Sequence, residues 1–168
     1  MLNTLLKLNK LLIKMLEITV ILVIGFLVLD VLWGVFSRYV LQNQSPWTEE
    51  LATMLLIWVS LLGAAIGFIR KSHLGVDYFV NKMSLKAQVI GEALVYLFIA
   101  FFAALVMMYG GTRLVALTLR LGQVSPAMQL KMGYVYMAVP ISGFFILVFS
   151  IETIIKNVFN FLNKSNNK

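Results

Sequence analysis

Residues 47–77 read WTEELATMLLIWVSLLGAAIGFIRKSHLGVD, an acidic start, an apolar run and a basic exit in one stretch. The apolar part, 51–69, matches the roughly 20 residues a helix needs to cross a hydrocarbon core of about 30 Å. Ser45 and Pro46, just before it, suit the N-cap and the first helical position. Glu49 and Glu50 then meet the positive end of the helix dipole, and Arg70 and Lys71 close the far end. The charges sit where lipid tolerates them, so this stretch is a membrane span.

The rest of the chain has the same character. Its 168 residues are 61% hydrophobic and 12% charged, whereas a soluble domain carries about 25% charged residues. Apolar runs at 16–39, 51–69, 87–112 and 133–158 predict four spans in a single membrane domain over 1–168. The Asn/Lys-rich tail, 160–168, is expected to fray. Alternating ten-residue strands are lacking, which argues against a membrane barrel. In segment 1–14, Lys7, Lys10 and Lys14 share a stripe with Asn3, while Leu2, Leu5, Leu6, Leu12 and Ile13 fill much of the remainder. That pattern predicts a basic amphipathic helix in the membrane interface, anchoring the chain to lipid. A signal peptide is the alternative, but no small-residue cleavage site follows and the apolar run continues to full membrane length. The fold class is thus an all-α integral membrane protein of four spans plus an interfacial helix.

Ten basic residues cluster at the N-terminus, the second loop and the C-terminal end, against four (Arg38, Arg113, Arg120 and Lys131) on the other side. The positive-inside rule places both termini in the cytoplasm and the Glu49–Glu50 end outside. The third apolar segment is too long. From Ala87 to Leu121 it would run about 52 Å as a helix, so it either tilts strongly or breaks near Gly110-Gly111. Arg113 and Arg120, seven apart on one face, favour a projection past the outer interface.

Composition removes several functions. The net charge of +7 is spread between apolar runs with no basic, aromatic-laced stripe, so nucleic acid is not a partner. With no cysteine and the single histidine, His73, in a loop, no haem, metal or other cofactor is expected. Glu49 and Glu50, on adjacent helix positions about 100° apart, cannot converge on one bond, so the pair is not catalytic.

The remaining polar and small residues have both structural and functional readings. One of Glu49 and Glu50 serves the dipole, and one is expected to pair with Arg38 or with another chain. Asp30 lies about 21 Å into the first span, where an unpaired charge costs at least about 2.5–3.5 kcal/mol. A packed polar contact explains it better than ion coupling does. Ser60, Gly63, Ala64 and Gly67 share one face of the second span, and Gly63-x-x-x-Gly67 is a close-packing pattern serving this chain or a partner. Trp58, at mid-span, is expected to face protein because its indole N–H wants an acceptor. Trp33, Tyr39, Trp47, Tyr134 and Tyr136 suit an outer aromatic belt, and Pro140 a bend. Asp77 is read as capping a short segment, Tyr78 to Met83, with His73 bonding nearby backbone.

Arg38-Tyr39, Trp47-Thr48-Glu49-Glu50-Leu51, Trp58, Leu62-Gly63-Ala64-Ala65 and His73-Leu74-Gly75-Val76-Asp77, in this order and spacing, resemble the small membrane subunit of the tripartite ATP-independent periplasmic (TRAP) transporters. Pro126 and Gly133-Tyr134…Pro140 add weaker likeness to the start of that family's last span. Thr48 stands where serine is common, and Lys71-Ser72 where Gly-Ala is frequent. The resemblance implies a separately encoded, non-enzymatic subunit in a bacterial inner membrane. Its partners would be a large multi-span TRAP membrane subunit holding the substrate and Na⁺ sites, and a periplasmic substrate-binding protein delivering a carboxylate-bearing solute. The small subunit would be the fixed scaffold against which the large one moves. Arg38, Trp47, Glu49, Glu50, Trp58, Gly63 and Gly67 are its candidate interface residues, and Lys7, Lys10 and Lys14 its membrane anchors.

Three other classes compete. A self-sufficient four-span multidrug/proton antiporter would use Asp30, but its loops and third span would be shorter. A redox anchor has no haem ligands here. An assembly factor would leave no transport phenotype when lost.

Overall fold

The computed structural model describes the backbone of residues 2–43, 45–70 and 85–166, with side chains for 11–43, 45–70 and 91–156. His73, Asp77 and the segment Tyr78–Met83 lie outside the described residues. The architecture is helical throughout, apart from an isolated antiparallel bridge between Val124 and Lys131. The elements are α1 (Leu2–Tyr39), α2 (Pro46–Ile69), α3 (Leu85–Phe102), a π-helical segment (Ala103–Gly110), α4 (Gly111–Arg120), α5 (Met132–Tyr136) and α6 (Ala138–Asn166). Among the described residues, four stretches are long and apolar enough to cross a membrane: Leu11–Tyr39, Pro46–Ile69, Gly91–Arg120 and Met132–Lys156. The chain is a multi-pass membrane protein.

Three element boundaries differ from the sequence reading. The segment 1–14 and the first span belong to one continuous helix, α1. The C-terminal helix extends to Asn166, so most of the tail expected to fray is helical. The third span does not break at Gly110-Gly111. Helix continues through it, α-helical to Phe102, π-helical to Gly110 and α-helical again to Arg120.

The helices form an open row. α1 packs on α2, α2 on α6, and α6 on α3 and the π segment. A T-shaped contact between Phe68 and Tyr96, 5.6 Å between centroids, also ties α2 to α3. The spans of α1 and α3 are the edges and bury least, while the last span buries most. Since lipid is as apolar as leucine, these contacts need shape and not mere hydrophobicity. On α1 the buried and half-buried positions Leu16, Val20, Val23, Leu27, Asp30, Gly34 and Ser37 alternate by four and three residues, the spacing of a coiled-coil seam. Leu16 and Val20 meet Leu62 and Ala65 of α2 in a core closed by Trp58, Ile141, Phe145 and Ile146. An ion pair joins the same two helices where α2 ends, Arg70 Nη2 donating to Glu17 Oε1 at 2.6 Å. It is largely exposed and adds at most about 1 kcal/mol.

On the third span Ala100, Ala103 and Gly111 are buried and Met107 half-buried. A regular seam would follow Met107 with Gly110. The extra residue is taken up by π winding, whose i→i+5 bonding widens the turn and keeps Gly111 facing α6. A Cβ on Gly111 would lie 3.0 Å from Val139 Cγ1 and 3.1 Å from Pro140 Cδ, so the residue is glycine for close approach and not for breakage. The last span is interrupted at Met137, between α5 and α6. Pro140, three residues on, has no N–H to give Tyr136 O, which accounts for the interruption at the expected bend. Buried hydroxyls close their own bonds: Ser37 donates to Gly34 O at 3.0 Å, Ser142 to Val139 O at 2.9 Å and Ser150 to Ile146 O at 2.7 Å.

Gly143 faces the π segment so closely that a Cβ there would lie 2.6 Å from Met107 Cβ. Gly143→Ala should therefore lower the chain's stability by about 1–3 kcal/mol. Gly67→Ala, where a Cβ meets nothing within 4 Å, should be neutral or slightly stabilising. Thermal unfolding of the purified variants in one detergent checks both, and equal midpoints would contradict the packing described.

Candidate functional site

Arg38, Trp47, Glu49 and Glu50 lie together where the C-terminal end of α1 meets the N-terminal end of α2. α2 begins as anticipated, with Pro46 in its first turn and Ser45 extended at the N-cap position (φ −82°, ψ 108°). The Ser45 side chain makes no capping bond. Instead, the buried Thr48 hydroxyl donates back to Ser45 O at 2.8 Å. Thr48 can sit there because its neighbour on α1 is Gly34, where a Cβ would approach Thr48 Oγ1 to 3.2 Å. The two helices therefore nearly touch at this level.

Beside that contact lies an open cavity of about 280 Å³. Asp30, Val31, Gly34, Val35, Arg38 and Tyr39 of α1 line it, together with Thr48, Glu49 and Ala52 of α2. Arg38 and Glu49 are thus brought to one mouth, as their spacing suggested. Asp30 is only 6% exposed, and neither carboxylate oxygen has a hydrogen-bond donor among the described residues. The expected packed polar contact for Asp30 is not made within the described chain.

Glu50 has a role that sequence reasoning missed. Its Oε1 accepts from Ala127 N at 2.9 Å and its Oε2 from Met128 N at 3.0 Å. The carboxylate thereby fastens the loop between α4 and α5 onto the start of α2. That loop is a built structure. Gly122, at φ +62°, takes the left-handed position that ends α4. Ser125, 3% exposed, donates its N–H to Leu130 O at 2.9 Å. Met132 N donates to Gln123 O at 2.9 Å. Ser125-Pro126 marks a turn in the sequence, but the donors are the backbone N–H groups of the two residues after it, which no residue type announces.

The other candidates are spread along the row. Trp47 is 40% exposed in the first turn of α2, while Trp58 is half-buried against the Leu16–Leu62 core. Trp33, Tyr39 and Tyr134 are exposed, as an aromatic belt requires, and Tyr136 is half-buried. Gly63 and Gly67 are half-buried, a Cβ added to either would meet nothing within 4 Å among the described residues, and Ser60 and Ala64 beside them are exposed. The close-packing face of α2 is therefore not used inside the described chain. Arg113 and Arg120 are exposed on α4, on the side opposite the buried Gly111 and Thr118. Lys14 is exposed near the start of α1, and Lys7 and Lys10 lie on the same helix.

The family model described as "Tripartite ATP-independent periplasmic transporters, DctQ component" matches residues 27–160. A putative TRAP transporter small permease protein of Haemophilus influenzae is 27% identical over 146 residues, 87% of this chain and 89% of that one. The sialic acid TRAP transporter small permease protein of Vibrio cholerae is 38% identical over 56 residues, about a third of each chain. The C4-dicarboxylate TRAP transporter small permease protein of Rhodobacter capsulatus is 28% identical over 101 residues, 58% of this chain and 42% of that one. These relatives are transporter subunits and not enzymes.

Glu50→Ala should release the outer loop while leaving the spans intact. Hydrogen exchange of the detergent-purified variant should show faster exchange at Ala127 and Met128 than in the wild type, with no change along α6. Unchanged protection at both amides would mean that the loop holds its shape without the clamp.

Proposed function

The chain belongs to the DctQ component family of the TRAP transporters, as its small membrane subunit, and from that premise we propose that it is the fixed scaffold for a larger, moving membrane subunit. The system it serves takes up a carboxylate-bearing solute, of the sialic acid or C4-dicarboxylate type, across a bacterial inner membrane with Na⁺ coupling. A periplasmic substrate-binding protein docks on the outer face. The observation that carries the scaffold reading is the unpartnered face of α2 formed by Ser60, Gly63, Ala64 and Gly67. In lipid such a face gains only when another helix lies close against it. The open row leaves room for one.

The orientation supports the same reading. With both termini cytoplasmic, the Glu50-clamped loop and the basic ridge of Arg113 and Arg120 stand on the periplasmic side, available to a soluble partner. Lys7, Lys10 and Lys14 then lie at the inner interface, where anionic headgroups favour each basic residue by about 1 kcal/mol. Held there, the start of α1 resists being dragged by a partner that moves across the membrane.

Affinity purification of the tagged chain in mild detergent should recover a stoichiometric partner of many spans, and its gene should be required for uptake. Recovery of the chain alone, under conditions that keep other membrane complexes intact, would overturn the subunit reading. Gly63→Leu with Gly67→Leu should reduce recovered partner about tenfold or more, because one displaced close contact costs at least 1.4 kcal/mol. The unfolding midpoint of the isolated variant should stay near the wild-type value. In a separate experiment, removal of residues 1–14 should weaken assembly or uptake, and unchanged values for both would remove the anchoring role.

A further inference from the structure

Asp30 is a carboxylate in a membrane span, nearly buried, at the floor of a cavity, with no donor for either oxygen among the described residues. A polar group left this way inside a bilayer is costly, and such groups are kept where a partner is supplied. The chain's own nearest cation in the cavity is Arg38. It stands eight residues further along α1, about 12 Å up the helix axis, and none of its nitrogens reaches Asp30. The Asp30 carboxylate on this lining, without a donor among the described residues, is therefore complementary to a positive charge.

From this we infer that the cavity between the outer halves of α1 and α2 receives a lysine or arginine side chain from a helix of the large membrane subunit, pairing with Asp30. The inference rests on the subunit reading above. Depth selects a protein side chain over a lipid amine. Headgroups lie at the interface, level with Arg38 and Tyr39, whereas Asp30 is two helical turns below, between the apolar walls of Val31, Val35 and Ala52. A long basic side chain on a neighbouring helix can enter at that level and keep its stem on those walls. Both Asp30 oxygens are shielded from water in the chain alone, so pairing turns the carboxylate outward to meet the incoming cation. Gly34 lets α1 close on Thr48 just above, which sets the cavity's upper wall.

The test compares Asp30→Asn with wild type in two settings. In the isolated chain, removing a buried unpaired carboxylate should leave the unfolding midpoint equal or higher. In the assembled complex, the same change strands the partner's cation, and recovery of the large subunit should fall about tenfold or more. Replacing the responsible basic residue of the large subunit with methionine should restore recovery with Asp30→Asn. A photo-crosslinker at Val35, on the exposed cavity wall, should join the chain to the large subunit. Wild-type recovery by Asp30→Asn, or crosslinks to lipid or to a second copy only, would overturn the inference. So would Arg38→Gln causing the same loss with no further effect of Asp30→Asn, which would assign the pair to Arg38 itself. Wild-type chain recovered without any large partner would overturn the subunit reading, which the variant comparison alone cannot do.

Discussion

Between two membrane helices there is no water to expel, so an apolar residue gains little by turning from lipid to protein. Contact between these helices depends instead on how closely their backbones approach. Four glycines supply that approach: Gly34 against Thr48, Gly111 against Pro140, Gly133 against Leu119 and Gly143 against Met107. At each, an added methyl group would meet its neighbour at 3.2 Å or less. Each joins a different pair of elements, so the row is held at a few narrow points. Small hydroxyl residues extend the same device. Ser37, Ser142 and Ser150 are buried without needing a partner helix, because each bonds a carbonyl of its own turn.

The third span shows what this constraint asks of a backbone. Gly111 and Gly143 can both be close to their neighbours only if the facing positions stay aligned over several turns. An α-helix alone would rotate Gly110 into the contact in place of Gly111. The π segment from Ala103 to Gly110 corrects the alignment within the membrane, where water cannot repair a broken ladder. The length of the third span follows from the same continuity. No break is made at the glycine pair, because Gly111 is occupied by packing against Val139 and Pro140. The helix therefore runs to Arg120 and ends only where Gly122 can turn the chain.

The spans were legible from the sequence because hydropathy is a sum over many residues, and the family was legible from a spaced set of motifs. The seams were not. On α1 nearly every position is apolar, so no period stands out from leucine and isoleucine. The trace lies in the residues that differ, Asp30, Gly34 and Ser37, spaced by four and three, and it needs the neighbouring helix to be seen as a seam. Gly63 and Gly67 show the same limit differently: their pattern signals close packing without saying against what, and among the described residues the close contacts are made by glycines outside that motif. The Glu50 clamp was hidden because its partners are backbone N–H groups 77 and 78 residues away, which carry no residue-type signature. Arg38 and Glu49 do line one cavity, since both stand near the ends of helices joined by a short loop.

The two halves of the α1–α2 pair are built for different tasks. Where α2 ends, Leu16 and Val20 are closed in by α2 and α6, and Glu17 with Arg70 ties the two helices together. Where α2 begins, Gly34 and Thr48 touch beside an open, charged cavity. A scaffold that another subunit works against has to be stiff before the partner arrives and still expose sites for it. Stiffness comes from contacts satisfied internally, such as the self-bonded serines and the Glu50 clamp. The sites are the places where satisfaction is incomplete, namely the uncovered glycine face of α2 and the Asp30 carboxylate. In a membrane these two kinds of incompleteness do not carry the same weight. Lipid fills a bare glycine groove at modest cost, whereas it cannot supply a hydrogen bond to a buried carboxylate. On the proposed scaffold reading, the glycine face would permit association while Asp30 would demand it, and the two together would make assembly both close and specific.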